Sequence, residues 1–230
     1  MIYITGDKHR DFETIINFCY KKRTSSADIL IIVGDVGINY FGDDRDLKLK
    51  DELKKMPLTL FCIHGNHEKR PSATGLYTLQ KWRGGEAYIE EGYPNLVFAK
   101  DGQNYLLGDR QCFVIGGAYS IDKFYRLAKG WQWFADEQPS AQIKADVESQ
   151  LDELTWQVDV VLTHTAPLKY EPTEVFLPFV NQELVDKSTE EWLGSLESKL
   201  IYKKWYCGHY HTEKTVDKIE FLYDSIKIFD

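Results

Sequence analysis

Five short clusters in this 230-residue chain carry the side chains with obvious chemical potential. They are Gly6-Asp7-Lys8-His9, Gly34-Asp35, Gly65-Asn66-His67-Glu68, Thr163-His164-Thr165 and Gly208-His209-Tyr210-His211, and they hold five of the six histidines. Asp, Asn and His offer oxygen and nitrogen donors, and no cysteine belongs to the set. That mix suits Mn²⁺, Fe or Zn²⁺ better than a structural thiolate zinc site. Asp7, His9, Asp35, Asn66, His164, His209 and His211 are too many ligands for one ion. Two ions sharing one carboxylate would use them all. Such a pair, ~3.5–4 Å apart, clamps the attacking and leaving oxygens of an in-line displacement at phosphorus.

The elements that must position these clusters follow from the apolar pattern. Ile2-Tyr3-Ile4-Thr5, Ile29 to Val33 and Leu58 to Ile63 are short apolar runs, the form of strands buried on both faces of a parallel sheet. Asp11 to Arg23 has Phe12, Ile15, Ile16 and Cys19 at helical spacing with Asp11 as N-cap, and Asp46 to Met56 is a charged helix closed by Pro57. Asp7 and Asp35 are 28 residues apart, and Asp35 and Asn66 are 31 apart. Each interval is about one strand-helix-strand unit of ~30 residues. The clusters therefore fall at carboxyl ends of strands, where sheets of this class place ligands. A glycine before Asp7, Asp35, Asn66 and His209 lets the chain turn there.

Farther along, Asn95 to Phe98 and Tyr105 to Leu107 flank Asp101-Gly102 and read as a hairpin, followed by a strand at Phe113 to Ile115. Residues 118–139 and 165–182 read as loop insertions, the second marked by Pro167, Pro172 and Pro178. Helices are expected over Ala141 to Leu154 and Gln182 to Leu200, a strand over Val158 to Leu162, and three or four strands from Lys204 to Phe229. With no repeat or flexible linker, residues 1–230 are expected to form one domain.

Composition narrows the class. Hydrophobic residues at 43% and aromatic residues at 14% exclude a disordered chain. No apolar run approaches the ~18 residues of a membrane span. The opening Met1 to Asp7 has no basic, apolar leader, so a cytoplasmic location is expected. Cys19, Cys62, Cys112 and Cys207 sit in apolar stretches without C-x-x-C spacing, as reduced buried thiols would. The net charge of −8 disfavours a long nucleic-acid partner.

Taken in order, the five clusters resemble the signature of the calcineurin-like metallophosphoesterase superfamily over positions 6–211. The resemblance implies an α/β fold of two packed mixed β-sheets flanked by helices, a four-layer αββα sandwich. It implies two divalent metal ions, Mn²⁺ first, with Fe, Zn²⁺ or Ni²⁺ as alternatives. One ion would be held by Asp7, His9 and His211 and the other by Asn66, His164 and His209, with Asp35 bridging. A water or hydroxide between the ions would attack phosphorus, and Asn66 and His67 would contact the phosphate. His67, with an ordinary pKa of ~6.5, would assist the leaving group. The expected substrate is a small phosphodiester or phosphomonoester of nucleotide type. A non-catalytic metal-binding scaffold and a nuclease are the alternatives.

The remaining polar residues have a functional and a plain reading. Arg10 stands where many members have Gly, and would either bind a phosphate oxygen or pair with Asp11. Lys8, Lys69 and Arg70 read as solvent-facing, and Asn39 as a turn cap. His64 reads as a structural histidine. Tyr119, Lys123, Tyr125 and Arg126 are candidate substrate contacts, and Trp131 and Trp133 a candidate aromatic wall. Val36-Gly37-Ile38 after Asp35, and His64 before Gly65, stand where the phosphoprotein phosphatase branch carries phosphate-gripping arginines. A protein substrate of that type is therefore disfavoured. Substrate choice is assigned to the loops at 69–94, 118–139 and 165–182.

Overall fold

The computed structural model describes residues 1–229. In chain order the elements are β1 (Ile2–Thr5), α1 (Glu13–Lys22), β2 (Ile29–Ile32), α2 (Asp44–Leu53), β3 (Thr59–Cys62), β4 (Tyr77–Trp82), β5 (Gly85–Glu90), β6 (Leu96–Ala99), β7 (Asn104–Leu107), β8 (Arg110–Ile115), α3 (Lys123–Lys129), α4 (Ala141–Glu153), β9 (Val160–Thr163), α5 (Ser188–Glu197), β10 (Lys204–Cys207), β11 (Lys214–Val216), β12 (Ile219–Phe221) and β13 (Lys227–Ile228).

Two mixed sheets result. One has the order β13-β1-β2-β3-β6-β5-β4 and the other β11-β12-β10-β9-β8-β7. Within them β1-β2-β3-β6 run parallel, as do β8-β9-β10-β12. Side chains alternate between faces along each strand. In β2, Ile29 and Ile31 therefore point to the second sheet, among Tyr105, Val114, Leu162 and Tyr206. Leu30 and Ile32 point the other way, onto Phe12, Ile15 and Cys19 around α1 and Leu53 of α2. On the outer face of the second sheet, Phe113, Val161 and Trp205 pack on Val147 and Leu151 of α4 and Leu193 and Leu196 of α5. Three apolar layers thus separate helix, sheet, sheet and helix, which is the expected four-layer sandwich. All four cysteines are buried free thiols.

Several local expectations are corrected. The hairpin read across Asp101-Gly102 does not form. β6 pairs with β3 and β5, β7 pairs with β8, and the turn carries the chain from one sheet to the other. Asp101 anchors that corner through the Gly116 amide (2.6 Å) and the Arg70 guanidinium. An apolar-turn-apolar pattern is common to a hairpin and an inter-sheet corner, so local sequence does not separate them. The real hairpin is β4-β5, within residues read as loop, turning at Arg83-Gly84 with φ of 47° and 91°. Positive φ at both positions is the signature of a tight type I′ turn. Its edge strand is largely exposed and polar, which hid it. The stretch 118–139 contains α3 and is not loop throughout. Asp11 accepts from the Glu13 amide, but the cap position itself is Phe12.

Candidate metal centre

β1, β2 and β3 of one sheet and β9 and β10 of the other all end at the same edge of the sandwich, and the five clusters follow those ends. Two glycines show how tightly the turns pack. A Cβ on Gly34, where φ is 101°, would run into the His164 ring, and one on Gly65 would strike the Asp35 backbone and carboxylate. Asp35, His9, His209 and His211 themselves have positive φ, at 48°, 46°, 67° and 49°. Left-handed backbone at non-glycine residues is strained and persists where the surroundings over-determine it. Four such residues in one constellation mark a site whose side-chain directions are imposed by the fold.

Three overlapping groups of ligand atoms converge there, each within 4.8 Å: Asp7, His9 and His211; His9, Asp35 and His67; and Asp7, Asp35 and His164. Asp35 belongs to two of the three. His9 Nε2 and His211 Nε2 lie 3.0 Å apart, and His211 Nε2 is 3.1 Å from Asp7 Oδ2. Asp7 also accepts from the His209 amide at 3.0 Å. His164 is fully buried. Its Nδ1 donates to the Val33 carbonyl (2.9 Å), which aims Nε2 at Asn66 Oδ1 (2.9 Å) and Asp35 Oδ1 (3.4 Å). Asn66 in turn donates Nδ2 to Ser120 Oγ (2.9 Å), which turns its carbonyl oxygen toward the same point. Outer hydrogen bonds of this kind orient metal ligands. The His209 ring packs beside His164, with 5.0 Å between centres. This all-oxygen and nitrogen set, with two buried carboxylates facing imidazoles, fits hard or borderline divalent cations.

The electrostatics follow from burial and these pairings. Burial opposes charge on His164, but the Asp35 carboxylate outweighs it and raises the imidazole to about 9. Asp35 also loses to burial and gains from His164 and His67, and is held well below the usual carboxylate range. Burial and the His164 charge lower His209 to about 3, so it stands neutral. Metal ligands must be deprotonated. A cation held by His164 would have to displace its proton below pH 9. Metal affinity is expected to fall as pH drops from 9 to 7, by up to about tenfold per unit for one displaced proton, measurable by titration calorimetry. The same raised pKa stabilises the metal-free fold fully below the ordinary value near 6.5, and that contribution is lost as pH rises through 9.

His67 sits beside this cluster, its amide bonded to Asp35 Oδ1 (2.8 Å) and its ring 4.7 Å from that of His9. The Arg126 guanidinium of α3 lies against it, with Nη2 in contact with Nδ1 and 2.9 Å from Nε2. Asp122 (2.7 Å) and the Gln132 carbonyl (3.0 Å) hold that arginine. Burial first, and then the Arg126 and His9 charges against the pull of Asp35, lower His67 to about 4. The expected value near 6.5 is corrected: in the resting site this imidazole is neutral. Glu68 is buried behind it and accepts from the Gly37 (2.9 Å) and Gly65 (3.2 Å) amides, tying the Asp35 and His67 turns together.

The Arg10 expectation is corrected. Its Nη1 donates to the Gly37 carbonyl and to Asp46, both at 2.6 Å, and Nη2 to the Arg45 carbonyl, so three of its five N–H donors brace α2 and the turn after Asp35. The guanidinium beside the ligand cluster is that of Arg126, against His67. Lys8 is buried on the Tyr223 carbonyl (3.1 Å), and Arg70 is a buried strut to Asp101 and Asp136. Neither faces solvent. Asn39 accepts from the Tyr77 hydroxyl (2.8 Å), which fastens β4. His64 and Trp133 line two other cavities. Trp133 donates to Glu137 (2.9 Å) and forms no wall over the metal cluster. Tyr119 does line the cleft there. Ser120 and Glu190 lie at the site without a distinctive sequence signal: a serine after a strand-end Gly-Gly, and one of two adjacent glutamates opening a helix.

Residues 1–213 match the profile of the calcineurin-like phosphoesterases (Metallophos). The chain belongs to that family. As a calcineurin-like phosphoesterase its general chemistry is hydrolysis of phosphate esters, and the family implies divalent metals. Among solved structures it resembles TT1561 of Thermus thermophilus, at 12% identity and a TM-score of 0.52, over 96% of this chain and 87% of that one. A second solved structure matches at 12% identity and a TM-score of 0.51, over 96% of this chain and 88% of the other. At that identity the likeness shows the fold alone. No curated protein sequence matches. Among the described residues no helix is long and apolar enough to cross a membrane.

Proposed function

We propose that this calcineurin-like phosphoesterase hydrolyses a small phosphate ester, a monoester or diester, at a centre of two divalent cations. The observation that carries the reading is the overlap of three ligand groups, in which Asp7, His9 and Asp35 are each shared by two and His67 lies at the edge. Asp7, His9 and His211 would hold one cation, Asn66, His164 and His209 the other, and Asp35 both. When bound, such cations activate water near neutral pH and neutralise the phosphate oxygens. The mixed imidazole and carboxylate donors suit Mn²⁺, Fe or Zn²⁺.

The chain's own residues do the rest. Asn66 and His67 line the cleft and bind the phosphate, the neutral ring of His67 by hydrogen bonding. A bound dianion raises the proton affinity of His67, because an adjacent negative charge favours imidazolium. The ring can then deliver a proton to the departing oxygen. Arg126 fixes the ring from behind. The cleft is about 370 Å³, and among the described residues no Lys or Arg lines it. That favours a small ester over a polymer, which needs a basic track.

The test is a chelated protein reloaded with Mn²⁺ and assayed on p-nitrophenyl phosphate and bis(p-nitrophenyl) phosphate. Turnover of at least one ester, lost on chelation and restored by Mn²⁺, is expected. Loaded protein that turns over neither would overturn the reading.

A further inference from the structure

Glu190 lies in the first turn of α5, only 4% exposed, and lines the same cleft as Asn66, His67 and His209. Its Oε1 accepts from Thr165 Oγ1 at 2.7 Å, and Thr165 Oγ1 is 3.0 Å from the Tyr210 hydroxyl. With Thr165 donating to the carboxylate, Tyr210 donates to Thr165, and both hydroxyl protons are committed. Oε2 is buried and, among the described residues, has no hydrogen-bond partner. A buried carboxylate oxygen left in that state costs free energy unless something binds it. The trio is rigidly coupled to the metal centre. Thr165 follows His164, and Tyr210 lies between His209 and His211.

The surroundings describe what would bind. Ile121, Val175, Leu177 and Val185 give the cleft an apolar wall. Two other carboxylates of the cleft each have a cation partner, although Asp122 Oδ1 is, like Glu190 Oε2, buried without a hydrogen bond among the described residues. Glu171 pairs with Lys187 at 2.7 Å and Asp122 with Arg126. Among the described residues no cation pairs with Glu190 in this way. Burial raises its carboxyl to about 7. A second anionic group here would meet carboxylates and no free cation.

We propose that Glu190 anchors the alcohol portion of the substrate: an uncharged group with an apolar body and an O–H or N–H donor that bonds to the Glu190 carboxylate once Oε2 turns toward the cleft. A nucleoside has this chemistry, and a group bearing a second phosphate does not. The inference rests on the phosphoesterase reading for its place in the reaction, but the subsite exists without catalysis and can be tested without it.

The experiment titrates adenosine into the metal-free protein, followed by calorimetry or NMR, for wild type, Glu190→Gln and Val185→Trp. At pH 8, above the raised carboxyl value of about 7, wild type is expected to bind adenosine, with about tenfold weaker binding in Glu190→Gln, as for one charged hydrogen bond lost. Val185→Trp, which fills the apolar wall and leaves Glu190 intact, should block it. Adenosine diphosphate should bind more weakly than adenosine. No adenosine binding, equal binding in both variants, or tighter binding of the diphosphate would overturn the assignment. With Mn²⁺, the kcat/KM ratio of thymidine 5′-(p-nitrophenyl phosphate) to bis(p-nitrophenyl) phosphate should fall about tenfold in Glu190→Gln. Turnover of both esters with an unchanged ratio sinks the subsite alone. Turnover of neither, with adenosine binding still sensitive to Glu190, sinks the phosphoesterase reading and leaves the subsite.

Discussion

Asp35→Asn is expected to lower kcat/KM by at least about 10³-fold, or about 4 kcal/mol of transition-state stabilisation. Asp35 is 2% exposed and is the one residue present in both the His9-His67 and the Asp7-His164 groups. An amide of the same shape keeps one oxygen but removes the negative charge and the second anionic ligand atom, so two cations at close range lose the charge that screens them from each other. The backbone should survive, because the amide oxygen can still accept from the His67 amide, now bonded to Oδ1 at 2.8 Å. Mn²⁺ content by atomic absorption should drop from two equivalents toward one, with the circular dichroism spectrum unchanged. A variant that keeps two equivalents and wild-type turnover would remove Asp35 from the centre.

His67→Ala should produce a loss that depends on what is leaving. A positioned general acid is worth roughly 10²–10⁴ when the departing alkoxide needs a proton. An alkyl phosphate ester should therefore lose about that factor. A p-nitrophenyl ester, whose phenolate is stable near neutrality, should lose less than about tenfold. The resting ring sits at about 4, so on the proposed mechanism it would hold a proton only while anionic phosphate is bound. Plotting log kcat against leaving-group basicity for wild type and variant checks this. A steeper slope in His67→Ala supports proton delivery. Parallel lines, offset by one factor for every ester, would limit His67 to phosphate binding.

Much of this site was legible in the chain because strand-then-turn is a local pattern. Ile29 to Val33 followed by Gly34-Asp35 needs no distant partner to announce a buried strand with a carboxylate at its end, and the same holds for Asp7, Asn66 and His164. Order and spacing then carried the family resemblance, which residues 1–213 bear out. The guanidiniums show the opposite case. Arg10 adjoins the first cluster in sequence, yet its donors reach Gly37, Asp46 and Arg45. Arg126 is 59 residues from His67 and touches it.

The candidate ligand types, their order at successive strand ends and the alternation of apolar faces that makes a helix-sheet-sheet-helix stack can all be read from a few neighbouring residues. Folding in three dimensions sets which ring nitrogen faces which carboxylate, that the chain crosses between sheets at Asp101-Gly102, that His67 rests neutral against Arg126, and that one oxygen of Glu190, a residue lining the cleft, is buried without a partner among the described residues. Those features arise from contacts between segments far apart in the chain and from desolvation, which no local pattern encodes.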